Sequence, residues 1–187
     1  MSAISAVQVR VDGRALGPGS GRLLAVRVVS RLGQPTQCEL TFGAGDGPRP
    51  AGWGAALEVA VRGDEAALFT GEVTCVELLR AAGPAAYRVR GYDRLHRLRG
   101  RQATRVMTDV TAVDVASEIV ADLDLTVSAE RDGPRLDRLV QHGQSDLDEL
   151  ARTAAAAGLY PTLRGGTLHL VDLSGTGPAV RLTCFHA

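Results

Sequence analysis

Four histidines are the residues best suited to bind a metal ion or transfer a proton: His96, His142, His169 and His186. None stands in an HExxH, HxH or CxxC setting, the kind of spacing that brings metal ligands together. We therefore interpret each as a surface histidine or one satisfied by neighbouring groups. The sequence predicts no metal site.

Three acidic residues lie close together after Ser145, namely Asp146, Asp148 and Glu149. Paired carboxylates can act in acid–base catalysis. Acidic residues are also stabilised at a helix N-terminus by the helix dipole, and a serine three residues before Asp148 is typical of a helix cap. The pattern favours a helix start over a catalytic site.

Two glycine-rich strings, at residues 17–21 and 43–47, have the composition of phosphate-binding loops. Neither lies between a parallel strand and a helix with the rest of that fingerprint, so both are interpreted as turns. No GxSxG nucleophile motif occurs. We predict no cofactor, no catalytic residue and no enzymatic activity.

One charged segment stands out between Arg88 and Arg105. It contains a single acid, Asp93, and seven arginines: Arg88, Arg90, Arg94, Arg97, Arg99, Arg101 and Arg105. Three interpretations stay open: a solvated face paired with acids elsewhere in the fold, a protein-docking face, or a nucleic-acid-binding face. The last is disfavoured because base-stacking aromatics are scarce there.

The first ninety residues must supply the scaffold, and alternation of apolar and polar side chains predicts β-structure there. The turn at Asp12-Gly13 and other Gly/Pro-rich stretches separate the strands, which favours a sandwich or barrel. Six strands are predicted, near residues 7–11, 22–31, 37–42, 57–62, 68–79 and 87–90.

The pattern changes after Gly91. Helical spacing predicts helices near 111–124, capped by Thr111 with Asp114, and near 145–157, ended by Gly158. Strands are predicted at 139–141, 159–163, 167–170 and 180–184. The fold class is therefore α+β and β-dominated. We expect a barrel of residues 1–90 plus 177–187, with residues 91–176 as an inserted two-helix α/β subdomain of order β-α-β-α-β-β.

Composition narrows the function classes. Of 187 residues, 45% are hydrophobic and 22% charged, as in a globular protein, and the 21 basic residues balance 21 acidic ones. A neutral chain argues against a dedicated nucleic-acid binder. No apolar run approaches the ~18–20 residues that span a bilayer, and no secretory signal is expected. The three cysteines are predicted to be reduced, as in a protein folded in the cytosol.

Five strings together resemble the phage tail hub proteins, which include the late-control protein D family and the N-terminal part of VgrG spike proteins. They are LFTGEVTCVE (68–77), YRVRGYDRLHRL (87–98), RQATRVMTDVTAVDVA (101–116), VQHGQSDLDELAR (140–152) and GLYPTLRGGTLHL (158–170). The RGYDR and QHGQSD motifs most resemble those in the hub of extracellular contractile injection systems. The third string implies a short strand leading into the first insert helix.

The resemblance implies a non-enzymatic baseplate hub or adaptor that links a tail tube to a spike. It implies self-association into a trimer or hexamer ring, and contact with the tail tube protein, the spike or tip and other baseplate proteins. Assembly in the bacterial cytoplasm into a phage-tail-like particle, which can be released from the cell, follows from it. The predicted protein-interface residues are Arg94, Arg97, Arg99, Arg101 and Arg105.

Family members continue into a second barrel, so the length of this chain implies either a reduced hub or one part of a split hub. Alternative functions are a tail-tube-type subunit, a peptidoglycan-cleaving tail enzyme or an arginine-mediated nucleic-acid-binding protein. The sequence has no recognisable lytic scaffold.

Overall fold

Seven antiparallel strands form the larger sheet of the computed structural model, which describes residues 6–16, 22–44, 50–64, 66–80 and 84–174. Their order across the sheet is β2-β1-β5-β6-β7-β4-β3. The strands are β1 (Val7–Val11), β2 (Arg14–Ala15), β3 (Leu23–Val29), β4 (Gln37–Gly43), β5 (Ala56–Val61), β6 (Phe69–Leu79) and β7 (Ala86–Tyr92). All six strands predicted from alternation are present, and β2 is an addition.

The alternation that predicted these strands also decides which side of the sheet is buried. In β4, Cys38, Leu40 and Phe42 are buried, whereas the side chains between them remain partly exposed. Successive side chains of a strand point to opposite faces, so one face packs into a core and the other carries polar groups. The Asp12-Gly13 turn joins β1 to β2 with positive φ angles of 48° and 75°, as a tight hairpin requires.

Two glycines allow a close backbone approach between β6 and β7. A Cβ atom added at Gly71 would lie 2.2 Å from the Tyr92 carbonyl oxygen, and one at Gly91 would lie 2.8 Å from the Glu72 carbonyl oxygen. The register between these strands shifts between Val73 and Cys75, at a β-bulge or similar irregularity of the pairing. The glycines of the FTGEVT and RGYD strings are therefore required by packing and not by flexibility.

A 3-10 helix (Arg94–Gly100) leads from β7 into the second half of the chain. There β8 (Arg105–Val110) pairs with β10 (Leu136–Gln141), and β11 (Tyr160–Arg164) pairs with β12 (Thr167–Val171). The Gly165-Gly166 turn closes the β11–β12 hairpin with φ angles of 56° and 83°.

Two helices cover these strands, α1 (Ala112–Val120) and α2 (Asp146–Ala156). Thr111 and Asp114 form the predicted capping box, with the Thr111 N–H donating to Asp114 Oδ2 at 2.8 Å. Helix α2 ends as predicted at Gly158, whose φ is 69°. The Leu159 N–H donates to the Ala154 carbonyl at 2.8 Å, which makes this end a Schellman motif.

Two predictions in this region were wrong in detail. The first helix ends at Val120, not near residue 124, because residues 121–124 form a turn that ends with Asp124 at a φ of 51°. A second strand, β9 (Thr126–Ala129), lies between the helices and pairs in parallel with β12. The predicted order β-α-β-α-β-β therefore lacked one strand. The strand predicted over residues 180–184 lies outside the described residues, as does part of the loop over 43–54.

The buried apolar residues form two clusters. One lies on the larger sheet and includes Leu40, Phe42 and Val89. The other lies between the helices and the smaller sheets, and Leu95 and Leu98 of the 3-10 helix belong to it. The junction between the two clusters therefore lies at the end of β7, within the arginine-rich segment.

Candidate interaction surface

The 3-10 helix fixes which arginines of the segment face solvent. Residues three apart in such a helix lie on the same side, so Leu95 and Leu98 are buried together while Arg94 and Arg97 point outward. Asp93 caps the helix by accepting the Leu95 N–H at 3.0 Å. The local sequence thus displays cations on a rigid element anchored by two leucines.

Asp93 also joins this helix to the loop between β3 and β4. Its carboxylate accepts the Thr36 N–H at 2.7 Å, and its own N–H donates to the Thr36 carbonyl at 3.0 Å. Burial raises the pKa of Asp93, while these backbone donors and His96 act in the opposite direction. The buried acid of the segment therefore holds the 3-10 helix against the loop between β3 and β4.

Arg97 ties the 3-10 helix to β6. Its guanidinium donates two hydrogen bonds to Glu72, one from Nε at 3.0 Å and one from Nη2. His96 Nε2 lies 3.0 Å from the same carboxylate, and His96 Nδ1 lies 2.7 Å from the Asp93 carbonyl. The hydrogen bond from Arg97 is the main cause that lowers the pKa of Glu72. This histidine is satisfied by its neighbours, as predicted.

Arg94 and Arg99 are the other exposed arginines of the helix. Arg94 Nη1 donates to the Leu123 carbonyl at 3.1 Å. Arg99 lies over the Tyr92 ring, 5.3 Å from its centroid, and donates to Gln34 Oε1 at 3.2 Å. Each of these contacts uses only part of the guanidinium, so donors remain available on the surface.

Arg101 and Arg105 converge on Asp146, a fully buried residue at the start of α2. Arg105 Nη2 donates to both carboxylate oxygens, at 3.0 and 3.1 Å, and Arg101 Nε lies 3.2 Å from Oδ2. Gln141 Nε2 donates to Oδ1 at 2.9 Å. Arg101 also reaches exposed Asp122 at 2.7 Å. A buried carboxylate needs such partners because its desolvation is costly.

The other two acids of the cluster have local partners. Asp148 packs against the Ser145 cap, with the serine hydroxyl 2.6 Å from Oδ2. Buried Glu149 accepts hydrogen bonds from Arg152 and, at 3.1 Å, from the Thr153 hydroxyl. The helix dipole was therefore only part of the explanation for this cluster. Sequence reasoning did not identify Arg101 and Arg105 as partners of Asp146.

Arg88 and Arg90 lie on β7, between two acidic residues of the flanking strands. Arg90 donates to Glu39 on β4 at 2.9 Å and to Glu77 on β6 at 3.1 Å. Arg88 lies within 3.8 Å of the same two carboxylates. The hydrogen bond from Arg90 is the main cause that lowers the pKa of Glu39. This charged row occupies the polar face of the larger sheet.

Five arginines of the segment pair with acids elsewhere in the fold, as one of the three interpretations holds: Arg88, Arg90, Arg97, Arg101 and Arg105. Arg94 and Arg99 contact neutral groups. Arg94, Arg97 and Arg99 are exposed, whereas Arg101 and Arg105 are partly buried against Asp146. We call the exposed surface formed by Arg94, Arg97 and Arg99 the arginine surface.

Sequence reasoning missed several exposed apolar residues. Trp53 is 84% exposed, and Val106 and Val140 are exposed cross-strand neighbours on β8 and β10. Tryptophan is enriched among residues that dominate binding energy at protein interfaces. The sequence could have indicated an exposed Trp53, because this residue is the single tryptophan and lies between two glycines in a loop.

The described residues also bear on metal sites, membrane-spanning helices and cysteine chemistry. They contain no group of three or more His, Cys, Asp or Glu side chains arranged to hold a metal ion. No described helix has the length and apolarity needed to cross a membrane. Cys38 is buried, which raises the pKa of its thiol to about 12, and Cys75 is half-buried. Both are free thiols, while Cys184 and His186 lie outside the described residues.

The order of these elements can be compared with known proteins. A family model described as the phage tail baseplate hub (GPD) matches residues 30–182. The chain belongs to the phage tail baseplate hub family. The resemblance drawn from the five sequence strings is therefore confirmed at the level of the family. No curated protein matches the sequence.

Solved structures show where the hub fold recurs. A tail protein from Neisseria meningitidis MC58 shares 22% identity with a TM-score of 0.69, over 91% of this chain and 52% of its own. The 43 kDa tail protein of prophage MuSo2 from Shewanella oneidensis shares 17% identity with a TM-score of 0.71, over 88% of this chain and 53% of its own. An E. coli component of the type VI secretion system shares 16% identity with a TM-score of 0.67, over 91% of this chain and 50% of its own. The hub chain spans about half the length of these structures.

Proposed function

We propose that this chain is a structural hub or adaptor in the baseplate of a phage-tail-like contractile injection system, where it links the tail tube to the spike. The observation that carries the proposal is the hub family match over residues 30–182. The fold shared with phage tail and type VI secretion proteins supports it. Within this proposal, the RGYDR and QHGQSD strings favour a contractile injection system of the extracellular type.

The proposed mechanism is assembly, without catalysis. The larger sheet of residues 1–90, completed by residues 177–187, forms a tube-like barrel, and residues 91–176 form the insert. Residues 177–187 lie outside the described part of the chain. Copies associate into a trimer or hexamer ring. Sheet edges are covered by neighbouring subunits, because an exposed edge strand invites non-specific pairing.

The proposal divides the five predicted interface arginines, Arg94, Arg97, Arg99, Arg101 and Arg105, into two groups. Arg94, Arg97 and Arg99 are the exposed group, and arginine–carboxylate pairs across an interface chiefly set register and partner choice. Arg101 and Arg105 act mainly by holding the insert in place through Asp146. The proposed neighbours are the tail tube protein, the spike or tip and other baseplate proteins.

The experiment is to express a tagged copy of the chain with the rest of its particle in the bacterial cytoplasm, purify the particles and reconstruct them by electron cryomicroscopy. Density for this chain at the junction of tube and spike is the expected result. Density repeated along the tube would identify a tube subunit instead. A folded chain that is absent from purified particles would refute the proposal.

A matched pair of variants tests the arginine surface. Arg94→Gln removes an exposed charge of that surface, and Arg164→Gln removes one at the exposed end of the β11–β12 hairpin. We expect reduced incorporation for Arg94→Gln alone, with both variants melting like the wild type. Equal incorporation of the two variants would show that Arg94 does not contribute to the interface.

A further inference from the structure

The loop between β3 and β4 forms a small cleft with the end of β7 and the 3-10 helix. Its volume is about 80 Å³. The polar residues that line it are Arg31, Gln34, Gln37, Tyr92 and Arg99. We infer that this cleft binds a carboxylate side chain presented by an acidic segment of a partner protein. The inference rests on the proposed baseplate function.

Arg99 is held ready for such a ligand. Its guanidinium lies 5.3 Å from the Tyr92 ring centroid, and one donor is used by Gln34 Oε1 at 3.2 Å. A guanidinium carries five N–H donors, and the Arg99 side chain donates no other hydrogen bond to the described residues. Contact with the ring and with Gln34 restricts the guanidinium, so less side-chain entropy is lost when a carboxylate binds.

The charge in the cleft is positive and not neutralised locally. No acidic residue lines it. Arg31 is exposed and, among the described residues, takes part in no side-chain hydrogen bond or ion pair. The two arginines and two amide side chains that line the cleft provide N–H donors that complement a carboxylate.

The walls of the cleft are fixed by backbone contacts. Thr36 is held to Asp93 by the two hydrogen bonds described above. The Gly33 N–H donates to the Pro161 carbonyl at 2.9 Å, which ties the loop to β11. The backbone of the cleft is therefore preformed in the unbound chain, and preorganisation reduces the cost of binding.

Stacking geometry favours an acidic peptide over a nucleic acid. Base stacking needs an open aromatic face. Arg99 already covers Tyr92, and His96 stacks on it at a centroid distance of 6.1 Å.

The test is a titration of the full-length chain with an acetylated, amidated Glu-Glu-Asp-Glu peptide at low salt, followed by the NMR signals of the arginine Nε–H groups. We expect saturable shifts at Arg31 and Arg99. The double variant R31Q/R99Q should weaken binding at least about tenfold, the change expected when charge-assisted hydrogen bonds are lost. The double variant R138Q/R164Q, which removes two exposed arginines elsewhere, should bind like the wild type.

Three results would overturn the inference: no saturable binding by the wild type, equal weakening by both double variants, or tighter binding of a single-stranded oligonucleotide than of the peptide. Inorganic phosphate serves as a further probe, and phosphate that displaces the peptide at equal concentration would also count against a carboxylate site. None of these outcomes bears on where the chain lies in purified particles. Failure of this inference is thus separable from failure of the proposed function.

Discussion

Replacing Asp146 by asparagine tests whether the buried charge cluster holds the insert together. The substitution keeps the side-chain volume and one acceptor oxygen but removes the negative charge that Arg101 and Arg105 share. It also places an amide donor close to Gln141, which itself donates to Asp146. The start of α2 should therefore lose its charged contacts with the segment that precedes β8 and keep the backbone hydrogen bond from the residue 146 N–H to the Arg101 carbonyl, 2.7 Å long.

The size of the effect follows from burial. Asp146 is fully buried, and removal of one partner from a buried ion pair costs about 3–5 kcal/mol. Arg101 and Arg105 are partly exposed and can turn toward water, so we expect the lower end, about 3 kcal/mol. For a chain of this size that loss corresponds to a melting temperature lower by about 6–12 °C.

Asp122→Asn provides the matched control, because Asp122 binds the same Arg101 from an exposed position. An exposed ion pair contributes about 0–1 kcal/mol. Urea denaturation followed by far-UV circular dichroism would measure both variants against the wild type. A loss below about 1 kcal/mol for Asp146→Asn, or one equal to that of Asp122→Asn, would refute the reasoning from burial.

Three further outcomes are expected. Gly71→Ala should lower the free energy of unfolding by several kcal/mol or prevent folding, because its Cβ atom would lie 2.2 Å from a backbone carbonyl oxygen. Gly52→Ala is the control: its Cβ atom would have no other atom within 4 Å, so it should be nearly neutral in the same denaturation assay. Iodoacetamide should modify half-buried Cys75 before Cys38, because the Cys38 thiol is buried and its pKa is raised to about 12. Mass spectrometry of the native chain would show which cysteine is modified first, and modification of Cys38 first would contradict the prediction. Glu72→Gln should destabilise the chain at neutral pH but not in acid. The pKa of Glu72 is lower in the folded chain than its unfolded value of 4.5. The ionised Glu72 carboxylate therefore stabilises the fold above pH 4.5, and this contribution is lost as the pH falls through the pKa of the folded state. An equal effect of the substitution at about pH 7 and about pH 3 would contradict this reasoning.

Local patterns predicted the elements whose formation depends on local rules. Alternation located the strands of the larger sheet, and the Thr111–Asp114 box and Gly158 located helix ends, because the groups that satisfy them lie within a few residues. The four-residue strand β9 was missed. It has too few residues for a clear alternation, and its parallel partner β12 lies about forty residues away in sequence.

The candidate surface was predictable as a concentration of charge but not as a set of contacts. The arginine-rich segment is visible in the sequence, yet Arg97 meets Glu72 and Arg105 meets Asp146 across 25 and 41 residues. Such pairings depend on how the two halves of the chain pack, which no local period encodes. The cleft at Arg99 was invisible for the same reason, since Gln34 and Tyr92 come together only through β4 and β7.

The close approach at Gly71 also has a genetic consequence. Every missense change of one base in a glycine codon introduces a residue with a Cβ atom, and at this position that atom would overlap the Tyr92 carbonyl. Alanine is the smallest of these replacements, and its Cβ atom alone would produce the overlap. Saturation mutagenesis of the gene should therefore find this codon among the least tolerant, even though Gly71 bears no side chain that could contact a partner.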